Sequence, residues 1–203
     1  MSQKILLIAA TQQEILPYLQ TQHHHDVLIT GVGIPSTIFR LTRQVAHHYY
    51  DVVVQAGIAG AFDKSFAKKG HVVQVTQDAF GDLGTFENGS FNNLQELELN
   101  FDPLWLNGSY IKTGLPEVKG ITVQTVTNDA TIVSALAGKW QADVETMEGA
   151  AAAYVCHQKQ LQFVQIRAIS NTVGERNKEN WGISDALSNL NTALGTFLLK
   201  LAE

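Results

Sequence analysis

The chain is poor in the residues that form disulfides, bind nucleic acids or span membranes. Cys156 is its single cysteine, which excludes an intramolecular disulfide and a cysteine-based metal site and fits a reducing compartment. Lysine and arginine number 14 against 19 acidic residues, and the resulting charge of -5 argues against binding nucleic acid or an anionic membrane. No apolar run approaches the roughly 18–20 residues of a membrane span. The N-terminal apolar run is too short for a secretion signal, so we expect a cytoplasmic protein.

What the chain does contain is ample material for a core. Hydrophobic residues make up 45% of its 203 residues and charged residues 16%, the composition of an ordinary globular protein. This length is typical of one domain, so we expect a single domain over residues 1–203. Residues 80–110 are the exception to the regular patterning, and we expect a long excursion there with one helical turn around residues 95–99. Loops of this length in compact domains are usually functional or disordered.

Elsewhere, short apolar runs alternate with segments of helical periodicity. Most of the runs lack polar alternation, which is typical of strands covered on both faces, whereas residues 121–126 alternate more clearly and are expected to face partly outward. The helical segments repeat apolar residues close to every 3.6 positions. Strands alternating with helices predict an α/β sandwich. The predicted strands are residues 4–10, 27–30, 52–55, 72–75, 121–126 and 163–166, and the predicted helices are residues 34–48, 147–159 and 183–201.

Two glycine-containing turns are predicted at the ends of strands. Residues 31–33 (Gly-Val-Gly) follow the second strand and open a helix, where backbone N–H groups can approach a ligand. They do not form a dinucleotide fingerprint, because Ser36 occupies the third glycine position and Asp51 lies at the start of the next strand. Residues 56–60 follow the third strand in the same way. Each is also explained as a tight turn, but both lie at the sheet edge where α/β proteins bind ligands.

The glutamates near these turns have structural explanations when each is taken alone. Glu14 follows the first strand, and Glu148 would lie in the first turn of a helix that Thr146 can cap. Acidic side chains are stabilised at helix N-termini by the helix dipole. Glu145 lies three residues before Glu148 and flanks the same segment. None of these acids indicates catalysis by itself.

Five segments in order resemble the nucleoside phosphorylase and nucleosidase superfamily. A Met-Glu-Gly-Ala-Ala run at residues 147–151, followed by Arg-Ala-Ile-Ser at residues 167–170, is a specific combination. The resemblance implies a three-layer α/β sandwich with a mixed, largely parallel central sheet. It also implies a nucleoside substrate, no cofactor or metal, and a homodimer or larger homo-oligomer. The five segments are Glu14 and residues 31–33, 56–60, 144–151 and 167–171; residues 82–84, 171–177 and 181–187 look most like the futalosine hydrolase branch.

The same resemblance implies roles for individual residues in cleaving a C–N glycosidic bond. That reaction builds positive charge on the ribose and negative charge on the departing purine. Glu14 would be the base for an attacking water, and Glu148 would accept the ribose hydroxyls with Met147 beneath the sugar. Asn171 would contact the purine. The other substrate-binding residues implied are Val32, Gly57, Ile58, Arg167, Ser170 and Trp181, with Arg167 and Ser170 holding the purine region in place and Trp181 and Phe86 as candidates for closing over the ligand.

Two positions depart from the pattern of relatives. Gln55 stands where phosphorylases place an arginine for the phosphate nucleophile, which favours water and therefore hydrolysis. Asn171 stands where adenine-releasing nucleosidases carry an aspartate. An asparagine can donate to O6 or N7 of a 6-oxopurine but cannot transfer a proton. This favours futalosine over the alternatives, which are a methylthioadenosine/S-adenosylhomocysteine nucleosidase, a 6-amino-6-deoxyfutalosine nucleosidase and a non-catalytic nucleoside-binding protein.

Overall fold

The computed structural model describes residues 3–21, 24–62, 69–101 and 103–201. Within these residues the strands are β1 (Ile5–Ala9), β2 (Asp26–Ile29), β3 (Val52–Ala61), β4 (Val72–Phe80), β5 (Gly84–Glu87), β6 (Ser90–Asn93), β7 (Leu106–Asn107), β8 (Glu117–Thr122), β9 (Val144–Thr146) and β10 (Gln162–Thr172). The helices are α1 (Leu16–Leu19), α2 (Ile34–His47), α3 (Ala130–Trp140), α4 (Gly149–Gln158) and α5 (Ile183–Leu201), with 3-10 turns at Gln13–Ile15 and Lys178–Asn180. Across the described ranges, no helix combines the length and apolar character needed to cross a membrane.

Strand β3 organises the central sheet. One of its edges pairs in parallel with β10 along the whole strand. Its other edge pairs in parallel with β1 over the first four residues and antiparallel with β9 at Gly60 and Ala61. From β10 the pairing continues through β4 and β8 to β9, so five strands close into a ring. Strand β2 extends the sheet beyond β1. The predicted mixed, largely parallel sheet is confirmed.

Helices cover both faces of this sheet. Residues of β1 alternate between the two resulting cores, because successive side chains of a strand point to opposite faces. Ile5 and Leu7 pack into a core with α5, whereas Leu6 and Ile8 pack into a core with α2 and α4. The predicted α/β sandwich is confirmed, with the cleft described below at the carboxyl ends of β1 and β3.

Several predicted boundaries differ from the structure. Strands β4 and β10 run to Phe80 and Thr172, beyond the predicted ends at residues 75 and 166, and strand β8 begins at Glu117 rather than at residue 121. Residues 56–60 are not a turn after β3 but its second half, since β10 pairs along its full length. Strand β8 ends at Thr122 rather than at residue 126, because the Asp82 carboxylate accepts the backbone N–H groups of Gln124 (2.7 Å) and Thr125 (3.3 Å). Helix α4 begins at Gly149, two residues later than predicted.

The predicted excursion at residues 80–110 contains more regular structure than its sequence indicates. Strands β5 and β6 form a hairpin, and β7 returns to the sheet by pairing with β4. The turn predicted near residues 95–99 is present. Asn93 and Glu96 accept each other's backbone N–H groups, as at a helix start. Glu98 then adopts a left-handed conformation (φ 56°), which ends the turn before a helix can extend.

Candidate active site

A cleft of about 330 Å³ opens at the carboxyl ends of β1, β3 and β10, beside the β9–α4 junction. Sheet edges of this kind are the usual ligand sites of α/β folds. The junctions bring together side chains that lie up to about 180 residues apart in the chain. The cleft is lined by Ala10, Thr11, Gln13, Glu14, Val32, Ile58, Ala59, Gly60, Val126, Glu145, Thr146, Met147, Glu148, Ser170, Asn171, Trp181, Ile183 and Leu187.

Glu14 is held in one orientation at the cleft wall. It lies in the 3-10 turn after β1, and its Oε2 accepts the Thr11 backbone N–H at 2.8 Å and the Thr11 hydroxyl at 3.1 Å. Its Oε1 accepts the backbone N–H of Ile58 at 3.3 Å. That N–H is available because β1 and β9 leave a gap along this edge of β3. The carboxylate is therefore fixed by two elements, with 8% of the residue exposed.

Glu148 faces the same cleft from the β9–α4 junction. Its Oε1 accepts the backbone N–H of Gly33 at 2.9 Å. Gly33 has φ 89°, a conformation that favours glycine, so the Gly-Val-Gly turn serves to hold a protein carboxylate. Burial raises the pKa of Glu148, while the charge of Arg167 and the Gly33 hydrogen bond oppose this rise. The charge of Glu14 raises the Glu148 pKa further, which indicates that the two carboxylates share one electrostatic environment.

Arg167 lies under the two glutamates and is 1% exposed. Its Nη1 is 3.9 Å from Oε2 of Glu148. Arg167 pairs with Gly57 across β10 and β3, and a Cβ at Gly57 would lie 2.3 Å from Nη1. The same Cβ would lie 2.8 Å from Oε1 of Glu14, so only glycine leaves room for both charged groups. Arg167 Nε and Nη2 are buried and have no hydrogen-bond partner among the described residues.

A buried polar network supports this arrangement from inside the sheet. Asp78 accepts the Thr122 hydroxyl at 3.0 Å and the Gln165 amide at 3.2 Å. The Thr122 oxygen also accepts the backbone N–H of Ala150, at the start of α4, at 2.7 Å. Burial raises the pKa of Asp78 to about 7, although both hydrogen bonds and the charge of Arg167 lower it. The network joins β4, β8 and β10 to the helix that follows Glu148.

Asn171 lies in the cleft with its amide partly satisfied. Its Oδ1 accepts the Ser170 hydroxyl at 2.7 Å, and its Nδ2 donates to the Thr172 carbonyl at 2.9 Å. The Ser170 hydroxyl also lies 3.2 Å from the Ala59 carbonyl. The register of β10 against β3 shifts between Ile169 and Asn171, a bulge that re-aims the side chain. One Nδ2 hydrogen and one Oδ1 lone pair remain for a ligand.

The remaining predicted residues fall into two groups. Val32, Ile58, Met147 and Trp181 line the cleft, whereas Gly57 and Arg167 are not among its lining residues and lie beside Glu14 and Glu148 within the sheet. The Trp181 indole donates to the Glu175 carbonyl at 2.9 Å, which fixes the ring at the rim. Phe86 is not among the cleft residues; it packs against Phe91 in the β5–β6 hairpin, with ring centroids 5.0 Å apart. Gln55 is buried within β3 and does not reach the cleft surface.

Several cleft residues have no site role in the sequence analysis. Glu145 is the most informative of them, since a buried carboxylate needs a partner. Its pKa is raised to about 7, by burial first and then by the charge of Asp82, with Arg176 opposing. In the sequence, the position of Glu145 three residues before Glu148 is the signal that could have identified it as a cleft residue. The others are Ala10, Thr11, Gln13, Ala59, Gly60, Val126, Thr146, Ile183 and Leu187.

The lining is anionic. Glu14, Glu145 and Glu148 contribute carboxylates, and no lysine, arginine or histidine is among the described residues at the cleft surface. The described residues also contain no group of three His, Cys, Asp or Glu side chains that could hold a metal ion. A cationic or electron-poor substrate centre is therefore favoured over an anionic one.

Comparisons with known proteins place this site in a family context. The family model of the phosphorylase superfamily matches residues 16–202. The chain is 30% identical over 183 residues to futalosine hydrolase of Thermus thermophilus, covering 85% of this chain and 80% of that protein. The fold is similar to the native structure of futalosine hydrolase of Helicobacter pylori (TM-score 0.82, 17% identity, 98% and 99% coverage). It is similar to the same degree to a 5′-methylthioadenosine/S-adenosylhomocysteine nucleosidase from Colwellia psychrerythraea in complex with adenine (TM-score 0.82, 19% identity, 99% and 96% coverage).

Proposed function

Because the chain belongs to the phosphorylase superfamily and, within it, to the futalosine hydrolase family, we propose that it is a purine nucleosidase acting on futalosine. It hydrolyses the N-glycosidic bond and releases hypoxanthine and dehypoxanthine futalosine. The observation that carries this proposal is the convergence of Glu14 and Arg167 on the bare backbone of Gly57, with Glu148 next to Arg167. Two carboxylates with one buried cation suit a reaction that develops positive charge on a ribose.

Glu14 acts as the general base. The oxygen of a water molecule forms a bond to the ribose C1′ while the C1′–N9 bond breaks, and the electron pair of that bond leaves with the purine. Glu14 accepts a proton from the water. Its carboxylate is held by Thr11 and Ile58, so no reorganisation is needed when the proton transfers. General base catalysis of this kind contributes typically about 10²- to 10⁴-fold in rate.

Glu148 binds the ribose. Its Oε1 is held by Gly33, and its Oε2 accepts the sugar hydroxyls in charge-assisted hydrogen bonds. The charge of Arg167 lowers the Glu148 pKa against the effect of burial, which raises it. Met147 packs beneath the sugar. The negative charge near the ribose also stabilises the positive charge that develops at C1′.

Asn171 binds the departing purine. The Ser170 hydroxyl and the Thr172 carbonyl fix its amide, which leaves one N–H to donate to O6 or N7. This hydrogen bond stabilises negative charge on the leaving group. Because an amide cannot transfer a proton, the purine anion takes up its proton from solvent after the bond has broken.

The anionic lining supports water as the nucleophile. A phosphate dianion would have to approach three glutamates without a lysine, arginine or histidine at the cleft surface within the described part of the chain. Like charges at close range in a low-dielectric cleft repel by several kcal/mol. This reasoning agrees with Gln55 in place of an arginine, although Gln55 itself is buried below the cleft.

The cellular setting is part of the proposal. Residues 1–203 form one nucleosidase domain that works in the cytoplasm in menaquinone biosynthesis. A homodimer or larger homo-oligomer is supported by helix α2, where Phe39 is 67% exposed. Next to it lies an apolar groove that includes Ile38, Leu83 and Tyr154. An apolar surface of this kind marks an interaction site in soluble proteins.

The test is release of the free base in phosphate-free buffer from four nucleosides offered separately: futalosine, inosine, 5′-methylthioadenosine and 6-amino-6-deoxyfutalosine. We expect rapid release of hypoxanthine from futalosine, and chromatography measures the released base. Faster adenine release from methylthioadenosine or from the amino analogue would contradict the substrate and leave the fold unaffected. A requirement for phosphate would contradict hydrolysis.

A second measurement excludes a protein that binds nucleosides without turnover. Glu14→Ala removes the base but not the purine contacts, so we expect hydrolysis to fall about 10²- to 10⁴-fold with hypoxanthine binding retained in calorimetry. Glu117→Ala is the matched control, because Glu117 is exposed at the start of β8. A wild-type chain that binds hypoxanthine but cleaves none of the four nucleosides would be a binding protein.

A further inference from the structure

The start of helix α4 is held by hydroxyl groups from two neighbouring strands rather than by its own N-cap residue. Glu148 occupies the N-cap position, and its side chain makes no capping hydrogen bond. The N–H of Gly149 donates instead to the Thr146 hydroxyl at 3.2 Å. The N–H of Ala150, the second helical residue, donates to the Thr122 hydroxyl at 2.7 Å. N-cap residues usually accept the second or third helical N–H with their own side chain, so Thr122 takes over this function for Glu148.

The hydrogen bonds of these two hydroxyls run in one direction and end at Asp78. The Thr122 hydroxyl donates to Oδ1 of Asp78 at 3.0 Å. Because Thr122 has one hydroxyl hydrogen and Asp78 takes it, Thr146 is the donor in the 3.0 Å contact between the two hydroxyls. All of these side chains are buried. A buried polar network whose members are all satisfied is rigid, so the start of α4 is held in a single position.

Gly149 allows the Asp78 carboxylate to lie against the start of the helix. A Cβ at Gly149 would overlap Oδ2 of Asp78 and Nε2 of Gln165. It would also lie 2.9 Å from Oγ1 of Thr146. The residue directly after Glu148 must therefore lack a side chain for this network to form. A carboxylate in this position is also stabilised by the helix dipole.

Capping from the neighbouring strands leaves the Glu148 carboxylate available to face the cleft. Its Oε1 accepts the N–H of Gly33 at 2.9 Å, and its Oε2 lies 3.9 Å from Nη1 of Arg167. Without the Thr122 hydroxyl, the N–H of Ala150 would be a buried donor with no acceptor. That cost favours a shift of the helix start or a turn of the Glu148 side chain toward the helix. Either movement takes the carboxylate away from Gly33.

We propose that Thr122, oriented by Asp78, is a positioning residue that acts through Glu148. The assignment rests on the proposed function, in which Glu148 binds the ribose hydroxyls. Thr122 is not one of the residues that line the cleft, so it acts on the substrate only through the residue it positions. Displacing a substrate-binding group by about 1 Å can cost on the order of 100-fold in rate.

The first test is a double-mutant cycle in kcat/KM for futalosine, measured in single turnovers. Thr122→Val keeps the side-chain shape and removes the hydroxyl, so we expect kcat/KM to fall roughly 10- to 100-fold with a higher KM. In a Glu148→Ala background the same substitution should change kcat/KM by less than about threefold, because the residue it acts through is absent. Thr122→Ser restores the hydroxyl and should restore activity. Thr113→Val is the matched control, since the buried Thr113 hydroxyl also donates to a side chain (Gln74) and accepts a backbone N–H (Leu115).

The second test needs no substrate, because the Gly33 amide reports where the Glu148 carboxylate lies. Its hydrogen exchange is followed by NMR in each variant, and Glu148→Ala gives the rate without the carboxylate. We expect Thr122→Val to raise the Gly33 exchange rate about tenfold or more, with Thr122→Ser and Thr113→Val leaving it unchanged. Thr122→Ala, which places open space rather than a methyl group against Asp78, replaces Thr122→Val if that variant does not fold.

The outcomes separate this inference from the proposed function. A Thr122→Val defect that is equally large with and without Glu148 would show a structural role and overturn the assignment. An unchanged Gly33 exchange rate in folded Thr122→Val would also overturn it, while hydrolysis of futalosine by the wild-type chain leaves the proposed function standing. Failure of the wild-type chain to cleave futalosine would contradict the proposed function, and the Gly33 exchange rates would still decide whether Thr122 positions Glu148.

Discussion

At the scale of single residues, the site depends on the absence of a side chain at Gly57. Gly57 allows the guanidinium of Arg167 and the carboxylate of Glu14 to approach the same point above β3. Neither charged group can retreat freely, because Glu14 is held by Thr11 and Arg167 is buried within β10. The geometry of the reacting groups is therefore set by the backbone.

Gly57→Ala tests this dependence. The added Cβ would meet Nη1 of Arg167 at 2.3 Å and must displace it or Glu14, so we expect kcat/KM for futalosine to fall about 100-fold or more. Circular dichroism and denaturant unfolding check that the chain still folds. The control is Gly195→Ala in α5, where a Cβ meets open space. That substitution should preserve activity and stabilise by about 0.5–1 kcal/mol. Full activity in Gly57→Ala would contradict the mechanism.

Asn171→Asp tests the purine contact. An aspartate loses the N–H that Asn171 offers to O6 or N7, but when protonated it can donate to N7 and accept from an exocyclic amine. We expect the ratio of kcat/KM values to shift toward 6-aminopurine nucleosides by about tenfold or more, since one buried hydrogen bond is involved. The ratio of adenine to hypoxanthine release from 6-amino-6-deoxyfutalosine and futalosine measures this. An unchanged ratio would show that Asn171 does not read the base.

At the scale of elements, helix α5 positions the segment that carries the base. Asn191 donates to the Glu14 carbonyl at 2.9 Å and accepts the Tyr18 backbone N–H at 3.2 Å. Its Nδ2 also donates to Leu187 within the helix. The short turns after β1 are thus fixed by a side chain about 180 residues away. Asn191 is a positioning residue that acts through Glu14.

Asn191→Asp separates positioning from general stability. The aspartate still accepts from Tyr18 but cannot donate to the Glu14 carbonyl, so we expect kcat to fall by about tenfold to 100-fold with KM little changed. Asn191→Ala should show the same kcat defect together with a stability loss of about 1–3 kcal/mol, since it leaves backbone groups unpaired. Thr196→Ala, farther along the exposed side of α5, is the control. Equal changes in kcat and KM would indicate a structural role only.

At the scale of the whole molecule, the buried Asp78 network makes stability depend on pH. The pKa of Asp78 is raised from 3.8 to about 7 in the folded chain, principally by burial. Between these pH values the folded state binds more protons than the unfolded state. The free energy of unfolding therefore decreases as the pH rises from about 4 to about 7, by up to about 1.4 kcal/mol per pH unit for this group.

Asp78→Asn removes this contribution. Gln165 can turn its amide so that its unpaired Oε1 accepts from the new asparagine, and the network remains hydrogen-bonded. We expect the variant to gain stability relative to the wild type as the pH rises from 4.5 to 7.5, measured by urea unfolding at each pH. Glu145 titrates in both proteins and cancels from the difference. Asp185→Asn, an exposed change in α5, is the control, and an Asp78→Asn difference that does not vary with pH would contradict the assignment.

The sequence alone determined the local structure and the types of side chain available for chemistry. Apolar runs predicted β1 and β2 within a residue or two, and periodicity predicted α2 and α5. These signals are local, because strand burial and helix amphipathicity are written within ten or twenty consecutive residues. Most of the predicted site residues line one cleft, whereas Gly57 and Arg167 lie within the sheet beside it, and the catalytic roles stay predictions. Helix α3 is not among the predicted helices, although the sequence indicates where it begins, because Asp129 caps it in the usual way.

Tertiary structure alone decided which groups touch. The Gly33 backbone holds Glu148 from 115 positions away. Gly60 aligns Glu145 with Asn171 only because β3 is paired on both edges, one of them by a three-residue strand too short to leave a periodic signal. The Asp78 pKa likewise depends on burial by strands far apart in the chain. Residue types and spacing fix the available chemistry, but strand pairing and burial act between distant segments, so geometry and electrostatics follow only from the folded chain.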